Sequence, residues 1–152
     1  LVTDQKDLRE RTHEDFYRQR IGAIFSQYLC KGSEATDWLG DLLYEEVSHG
    51  LMTSVEMKQV MVADLLWSAE TRNNKRHVVI AMEIAWLVEE SILERAITRA
   101  AILRRAGVDA LAMVGGHEWI DALKTRAWQA NVVTTSNGRL DDESWLHAIQ
   151  SL

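Results

Sequence analysis

A chain of 152 residues, 47% hydrophobic and 26% charged, has the size and composition of one globular domain that can bury its own core, and it holds no apolar run near the ~18 residues a membrane helix takes. Its formal net charge of −6 excludes a general nucleic-acid-coating protein, because such binding depends on Lys and Arg neutralising phosphates, while a local basic patch stays open. The single cysteine, Cys30, excludes an internal disulfide and reads as a small hydrophobe in a reducing, cytoplasmic compartment.

Proline is absent, where ordinary usage near ~5% would give about seven, so helices can run without kinks. The chain opens on Leu1 and not Met, which suggests a piece of a longer product. Over residues 4–30, Leu8, Phe16, Ile21, Ile24, Phe25, Tyr28 and Leu29 recur at helical spacing with charges opposite, which predicts one long amphipathic helix. That stripe holds more apolar residues than one domain's helix need bury, so we expect a homodimer through it, with the helix continuing a coiled coil. Gly32 and Ser33 interrupt the pattern. A second helix follows over 38–50, and a third starts at Thr53 or Ser54 with Glu56 as a capping box.

The strongest strand signal lies at 62–70 and 76–86, two apolar arms around the polar turn TRNNKR. A two-residue turn at Asn73-Asn74 pairs Arg72 with Lys75 and, counting outward, Asp64 with Glu83. Each arm therefore carries one acid among apolar neighbours, and the two acids share a face. Opposed strand residues have Cβ atoms only ~4.5–5.5 Å apart, where like charges destabilise. At ~5 Å and an effective dielectric near ~20 the repulsion is about 3 kcal/mol. A divalent cation, a nearby Arg or Lys, or a shared proton would each offset it.

Beyond the hairpin the pattern predicts a helix over 88–106, with acids in its first turn and Arg104-Arg105 in its last. A strand at 108–114, a helix at 117–130, a strand at 132–136 and a helix at 142–152 follow. A hairpin followed by β-α-β-α-β units makes an α/β fold, a mixed four-stranded sheet with flanking helices behind a helical N-terminal region.

The order of acid, hairpin, acid and arginine-bearing helix resembles the PD-(D/E)XK nuclease superfamily, the restriction-endonuclease-like fold. The quoted elements are Asp64 in VADLLW, Glu83 in VVIAMEIAW and the helix ERAITRAAILRRAG. Within the superfamily the chain looks like bacterial, notably cyanobacterial, proteins that place such a domain after a coiled coil. The resemblance covers roughly residues 10–140. It implies Mg²⁺ or Mn²⁺ held by Asp64, Glu83 and the backbone carbonyl of Ile84, with Glu14 as a helical acid that joins them, and metal-dependent hydrolysis of nucleic-acid phosphodiesters. The superfamily's lysine falls two residues after the second acid, where this chain has Ala85. The alternative is therefore a catalytically silent nuclease fold used for binding or assembly. Arg95 and Arg99, four apart on the following helix, face one direction and could neutralise the acids or grip a phosphate.

Other residues carry blander readings. The six tryptophans each sit in an apolar pattern and read as core, not as base-stacking platforms. The five histidines have no zinc-ligand spacing. Gly115-Gly116, between a predicted strand and helix, resembles a phosphate-binding turn on two glycines alone.

Overall fold

The computed structural model describes residues 2–152, with side chains from residue 8 onward, and Leu1 lies outside the described residues. In chain order the elements are α1 (Val2–Ile24), β1 (Leu29–Glu34), α2 (Thr36–Ser48), α3 (Ser54–Met61), β2 (Leu65–Thr71), β3 (His77–Val88), α4 (Glu90–Arg105), β4 (Ala110–Trp119), α5 (Asp121–Gln129), β5 (Val133–Ser136), β6 (Arg139–Leu140) and α6 (Asp142–Ile149). They form an α/β fold around one mixed six-stranded sheet whose spatial order follows the sequence, β1 to β6. The outer pairs β1/β2, β2/β3 and β5/β6 are antiparallel, and β3/β4/β5 run parallel through the crossover helices α4 and α5.

The hairpin has the predicted register: Leu65 pairs with Met82 and Glu70 with His77. Its turn is wider than a two-residue turn. Thr71 N–H donates to the Arg76 carbonyl (2.8 Å) and Lys75 N–H to the Thr71 carbonyl (2.9 Å), which leaves residues 72–75 as the loop. Lys75, not either asparagine, takes the left-handed conformation at φ 55°. Because two residues were added symmetrically about Asn73-Asn74, the pairing beyond the turn is unchanged.

Both faces of β3 are covered, which is why its sequence is a continuous apolar run and not an alternating one. Val78, Ile80, Met82 and Ile84 pack under α1 and α6 with Tyr17, Phe25 and Trp145, while Val79 and Ala81 face α4 with Leu93, Ala96 and Ala100. Glu83 belongs to this second face. The predicted four-stranded sheet is corrected to six strands, and the two additions explain themselves. β1 was read as the end of the first helix, yet it is a polar edge strand, exposed beyond Cys30, with a register shift between Cys30 and Ser33 and Lys31 at φ 54°. Charged, bulged edges resist pairing with other chains and carry no apolar alternation to detect. Gly32 is required there, since a Cβ would sit 1.8 Å from the Trp67 ring. β6 is two residues long and follows a tight Asn137-Gly138 turn with both residues at positive φ.

The capping box forms at Thr53, whose hydroxyl accepts from Glu56 N–H (3.1 Å) while Glu56 accepts from Thr53 N–H (3.1 Å). The apolar stripe of α1 is absorbed by its own sheet: Phe25 is buried, and Phe16, Ile24 and Tyr28 pack against the same core. Of the residues that motivated a homodimer, Phe25 is buried and Phe16, Ile24 and Tyr28 are half-buried against this core, while Leu8 is exposed. No helix of the described residues is long and apolar enough to cross a membrane.

Gly115 and Gly116 lie inside β4 and not in a turn, which replaces the phosphate-loop expectation with a packing one. A Cβ on Gly115 would meet the Tyr17 ring at 2.7 Å. Tyr17 cannot retreat, because its hydroxyl is bonded to Thr135 Oγ1 (2.7 Å) and accepts from Gly138 N–H (3.0 Å). We expect Gly115→Ala to destabilise the protein by about 1–3 kcal/mol through overpacking, measured by urea unfolding. An unchanged midpoint would show that α1 can shift to accept the methyl.

Candidate functional site

Asp64 sits one residue before β2 and Glu83 lies within β3, and the hairpin register brings them together. Asp64 N–H donates to Glu83 Oε2 (3.2 Å), and Ile84 N–H donates to Asp64 Oδ2 (2.8 Å). Each carboxylate thus accepts a backbone N–H from the neighbouring strand. Glu83 is buried, its side chain 3% exposed, so its charge needs a partner. Two partners come from α4. Arg99 Nη1 forms a close ion pair with Glu83 Oε1, and Arg95 Nε reaches the same oxygen at 3.4 Å.

The helical spacing explains the pairing, since residues four apart on α4 lie one above the other on the face turned to β3. Their environments differ. The Arg99 side chain is 10% exposed and its Nε also donates to the Gln59 carbonyl (2.6 Å), one of the carbonyls left open at the end of α3. The Arg95 side chain is 51% exposed. The repulsion expected between the acids is therefore offset by guanidinium groups. Asp64 still feels the strain: burial first, then the Glu83 charge, push its carboxyl above the ordinary range, against the lowering effects of Ile84 N–H, Arg95 and Arg99.

Glu14, Asp64, Ile84, Ala85 and Arg95 all line one cleft of about 540 Å³ between α1, the end of β3 and the start of α4. Glu10, Glu89 and Glu118 add to its wall, making five carboxylates against the guanidinium groups of Arg9 and Arg95. The cleft therefore attracts cations and repels bare phosphate. Ala85 contributes only a buried methyl to the wall. A cavity of about 590 Å³ beyond β5, lined in part by Trp128, Arg139 and Asp141, contains none of the sequence-predicted residues.

The donors suit a hard divalent cation in kind: two carboxylates and a carbonyl oxygen match Mg²⁺, which keeps several waters and takes one or two protein carboxylates. The resemblance would have Asp64, Glu83 and the Ile84 carbonyl hold it, yet Glu83 is buried with Oε1 taken by Arg99 and Arg95 and Oε2 by Asp64 N–H, so an ion at the pair would first have to displace a partner. Glu14 shares the cleft but is paired with Arg18 (3.2 Å), and among the described residues no three His, Cys, Asp or Glu side chains gather into a metal cage.

Several contributors were missed in the sequence. Arg18 bonds the Asp64 carbonyl oxygen as well as Glu14 and reaches Glu34 at 3.5 Å, so it ties α1 to the approach of β2. Glu10 accepts the Trp86 N–H (3.1 Å) at the end of β3. Both contacts join residues far apart in sequence and leave no local pattern. The buried stripe His13, Tyr17, Ile21 and Phe25 does have one, a strict spacing of four. His13 packs edge-on against Tyr17 and Trp86, and burial, then His117, hold its pKa below the ordinary value, so it serves as a neutral ring. Trp86 offers no platform for a base. His117 stacks on it at 3.8 Å and Arg9 lies over its ring at 5.3 Å.

Comparison with protein families, with curated proteins and with solved structures returns no match.

Proposed function

We propose that this chain is a nuclease-like domain of the PD-(D/E)XK type in which the metal-binding acids persist and phosphodiester hydrolysis is weak or lost. The observation behind this reading is that Asp64 meets the buried Glu83 through Asp64 N–H and opens on an acid-rich cleft whose wall has the Ala85 methyl where the resembled family has a cation. A bound Mg²⁺ or Mn²⁺ supplies Lewis-acid activation of water and of a phosphoryl oxygen. Asp64 and Glu83 would hold that ion, and the guanidinium groups of α4 balance the acids. Binding or assembly without turnover is the second reading, favoured by Arg99 and Arg95, which together neutralise the buried Glu83 without a metal.

Asp64→Asn separates the metal reading from a purely structural one. The amide oxygen can still accept from Ile84 N–H, so the exchange removes charge and keeps the bond. A carboxyl whose folded pKa is raised stabilises the fold most below its unfolded pKa, and that stability is lost as pH rises through the folded value. Near pH ~7 Asp64 therefore opposes folding. We expect Asp64→Asn to stabilise the protein there by ~1 kcal/mol, less than the bare ~3 kcal/mol repulsion because Arg95 and Arg99 already offset part of it. It should also flatten the stability profile just above the ordinary Asp pKa. Thermal melts with Mn²⁺ complete the test: the wild type gains stability by mass action and the variant does not. An equal Mn²⁺ gain in both proteins would place the ion elsewhere.

A further inference from the structure

The β2/β3 hairpin carries opposite charges at its two ends. At its tip, in the loop of residues 72–75, Arg72 and Lys75 are exposed. Arg72 Nε donates to the Ser26 carbonyl (2.6 Å), and among the described residues no carboxylate pairs with Arg72 or Lys75. Two acids beside the hairpin are committed elsewhere, Glu70 to Lys31 and Asp109 to Arg76. At the other end, where β3 runs out toward α4, lies the acid-lined cleft of about 540 Å³. Its own cations are already placed: Arg95 rests on Glu83 and Arg9 lies over the Trp86 ring. Glu10 accepts Trp86 N–H and Glu14 is paired with Arg18. Glu89 and Glu118, both exposed on the cleft wall, have no cation partner among the described residues.

We propose that the protein assembles head to tail, with the hairpin tip of one copy seating Arg72 and Lys75 in the acid-lined cleft of the next. Charge complementarity selects the pairing. A chain of net charge −6 repels its copies over most orientations, and the approach of tip to cleft turns that repulsion into attraction. The cleft also suits long basic side chains, because Ala85, Leu87 and Ile92 offer apolar wall for their stems while Glu89 and Glu118 meet the charged ends. Tip and cleft are separated by the 7 residues of β2, roughly 23 Å, so a copy cannot fill its own cleft. The interface is therefore heterologous, and successive copies repeat along the strand direction as a ring or an open chain. Its ion pairs stand at a solvated rim, which makes the contact weak, reversible and sensitive to salt. Such assembly draws on neither Asp64 nor Glu83 and is independent of a metal there, and it gives the assembly reading a partner, a second copy of this chain.

Sedimentation velocity at roughly 20 mM and roughly 300 mM NaCl, which span weak and strong screening, tests the contact. It is run on wild type, a tip variant Arg72→Gln/Lys75→Gln and a cleft variant Glu89→Gln/Glu118→Gln, each shown to be folded by circular dichroism. We expect the wild type to form species larger than a dimer at low salt as concentration rises, and to return to monomer at high salt. Each variant alone self-associates about tenfold more weakly, the worth of two exposed ion pairs. Mixed in equal amounts, the two variants recover one native junction, the tip of the cleft variant in the cleft of the tip variant. The mixture therefore forms a 1:1 heterodimer with wild-type affinity and nothing larger. A wild type that stays monomeric at low salt overturns the assembly. A variant that associates as well as the wild type overturns the role of its end of the hairpin. A mixture that stays monomeric, or that grows beyond the heterodimer, overturns the pairing of tip with cleft.

Discussion

Replacing Arg99 by alanine will lower the melting temperature by roughly 10 °C, the largest stability loss expected of any single change at the cleft. Glu83 is buried on a central strand, and Arg99 is the partner that shields it from the α4 side. Removing one member of a buried ion pair typically costs about 3–5 kcal/mol, because the remaining charge has lost both water and partner. Arg99→Ala also strips the Gln59 carbonyl of its donor at the end of α3. Arg95→Ala removes a half-exposed group from the same oxygen and should cost only ~0.5 kcal/mol, in the range of surface ion pairs. The contrast is the useful result. If the two substitutions destabilise equally, Glu83 is served by both arginines alike despite their difference in burial. The double variant Glu83→Leu/Arg99→Met should regain most of the loss, since an apolar pair of similar volume can replace a buried ion pair at little cost. Failure of that rescue would point to the contacts the double variant does not restore, Asp64 N–H on Glu83 and the Gln59 carbonyl on Arg99.

These contacts show which parts of the site could be read in advance. The pairing of Asp64 with Glu83 was legible because a strand has period two and a symmetric turn fixes the count, and a loop wider by one residue on each side preserves it. The facing of Arg95 and Arg99 was legible because a helix repeats every ~3.6 residues. That both would settle on one oxygen of Glu83 was not, since nothing local says how α4 lies across β3. β1 escaped because an edge strand protected by Lys31 and a bulge has no apolar alternation, and its one buried side chain, Leu29, also extended the stripe of the preceding helix. Of the expected stripe, Ile21, Phe25 and Leu29 are buried and Phe16, Ile24 and Tyr28 half-buried, and the core row spaced by four also takes in His13 and Tyr17, which an apolar count omits. Polar ring atoms on that row pack as core, a role their chemistry hides.

Ala85→Lys should create Mn²⁺-dependent nicking of supercoiled plasmid or raise it by about a hundredfold, the usual worth of one well-placed electrostatic group at a developing negative charge. Ala85 shares the Glu83 face of β3 and borders the cleft, and its parallel neighbour on β4 is Gly116, over which Val88 and Trp119 pack, so a longer group at residue 85 must extend toward the cleft. The lysine stem can lie along the apolar wall while its ammonium extends toward the carboxylates. Five acids border that space, so the charge gains partners and the fold should survive. The gain must depend on the acids: Ala85→Lys combined with Asp64→Asn should nick no more than the wild type. A folded Ala85→Lys protein that binds Mn²⁺ and nicks nothing would count against catalysis in this cleft even with its cation restored. In that event the acids and arginines would stand as a charge-balanced structural cluster, because Arg99 keeps Glu83 neutralised whether or not an ion arrives.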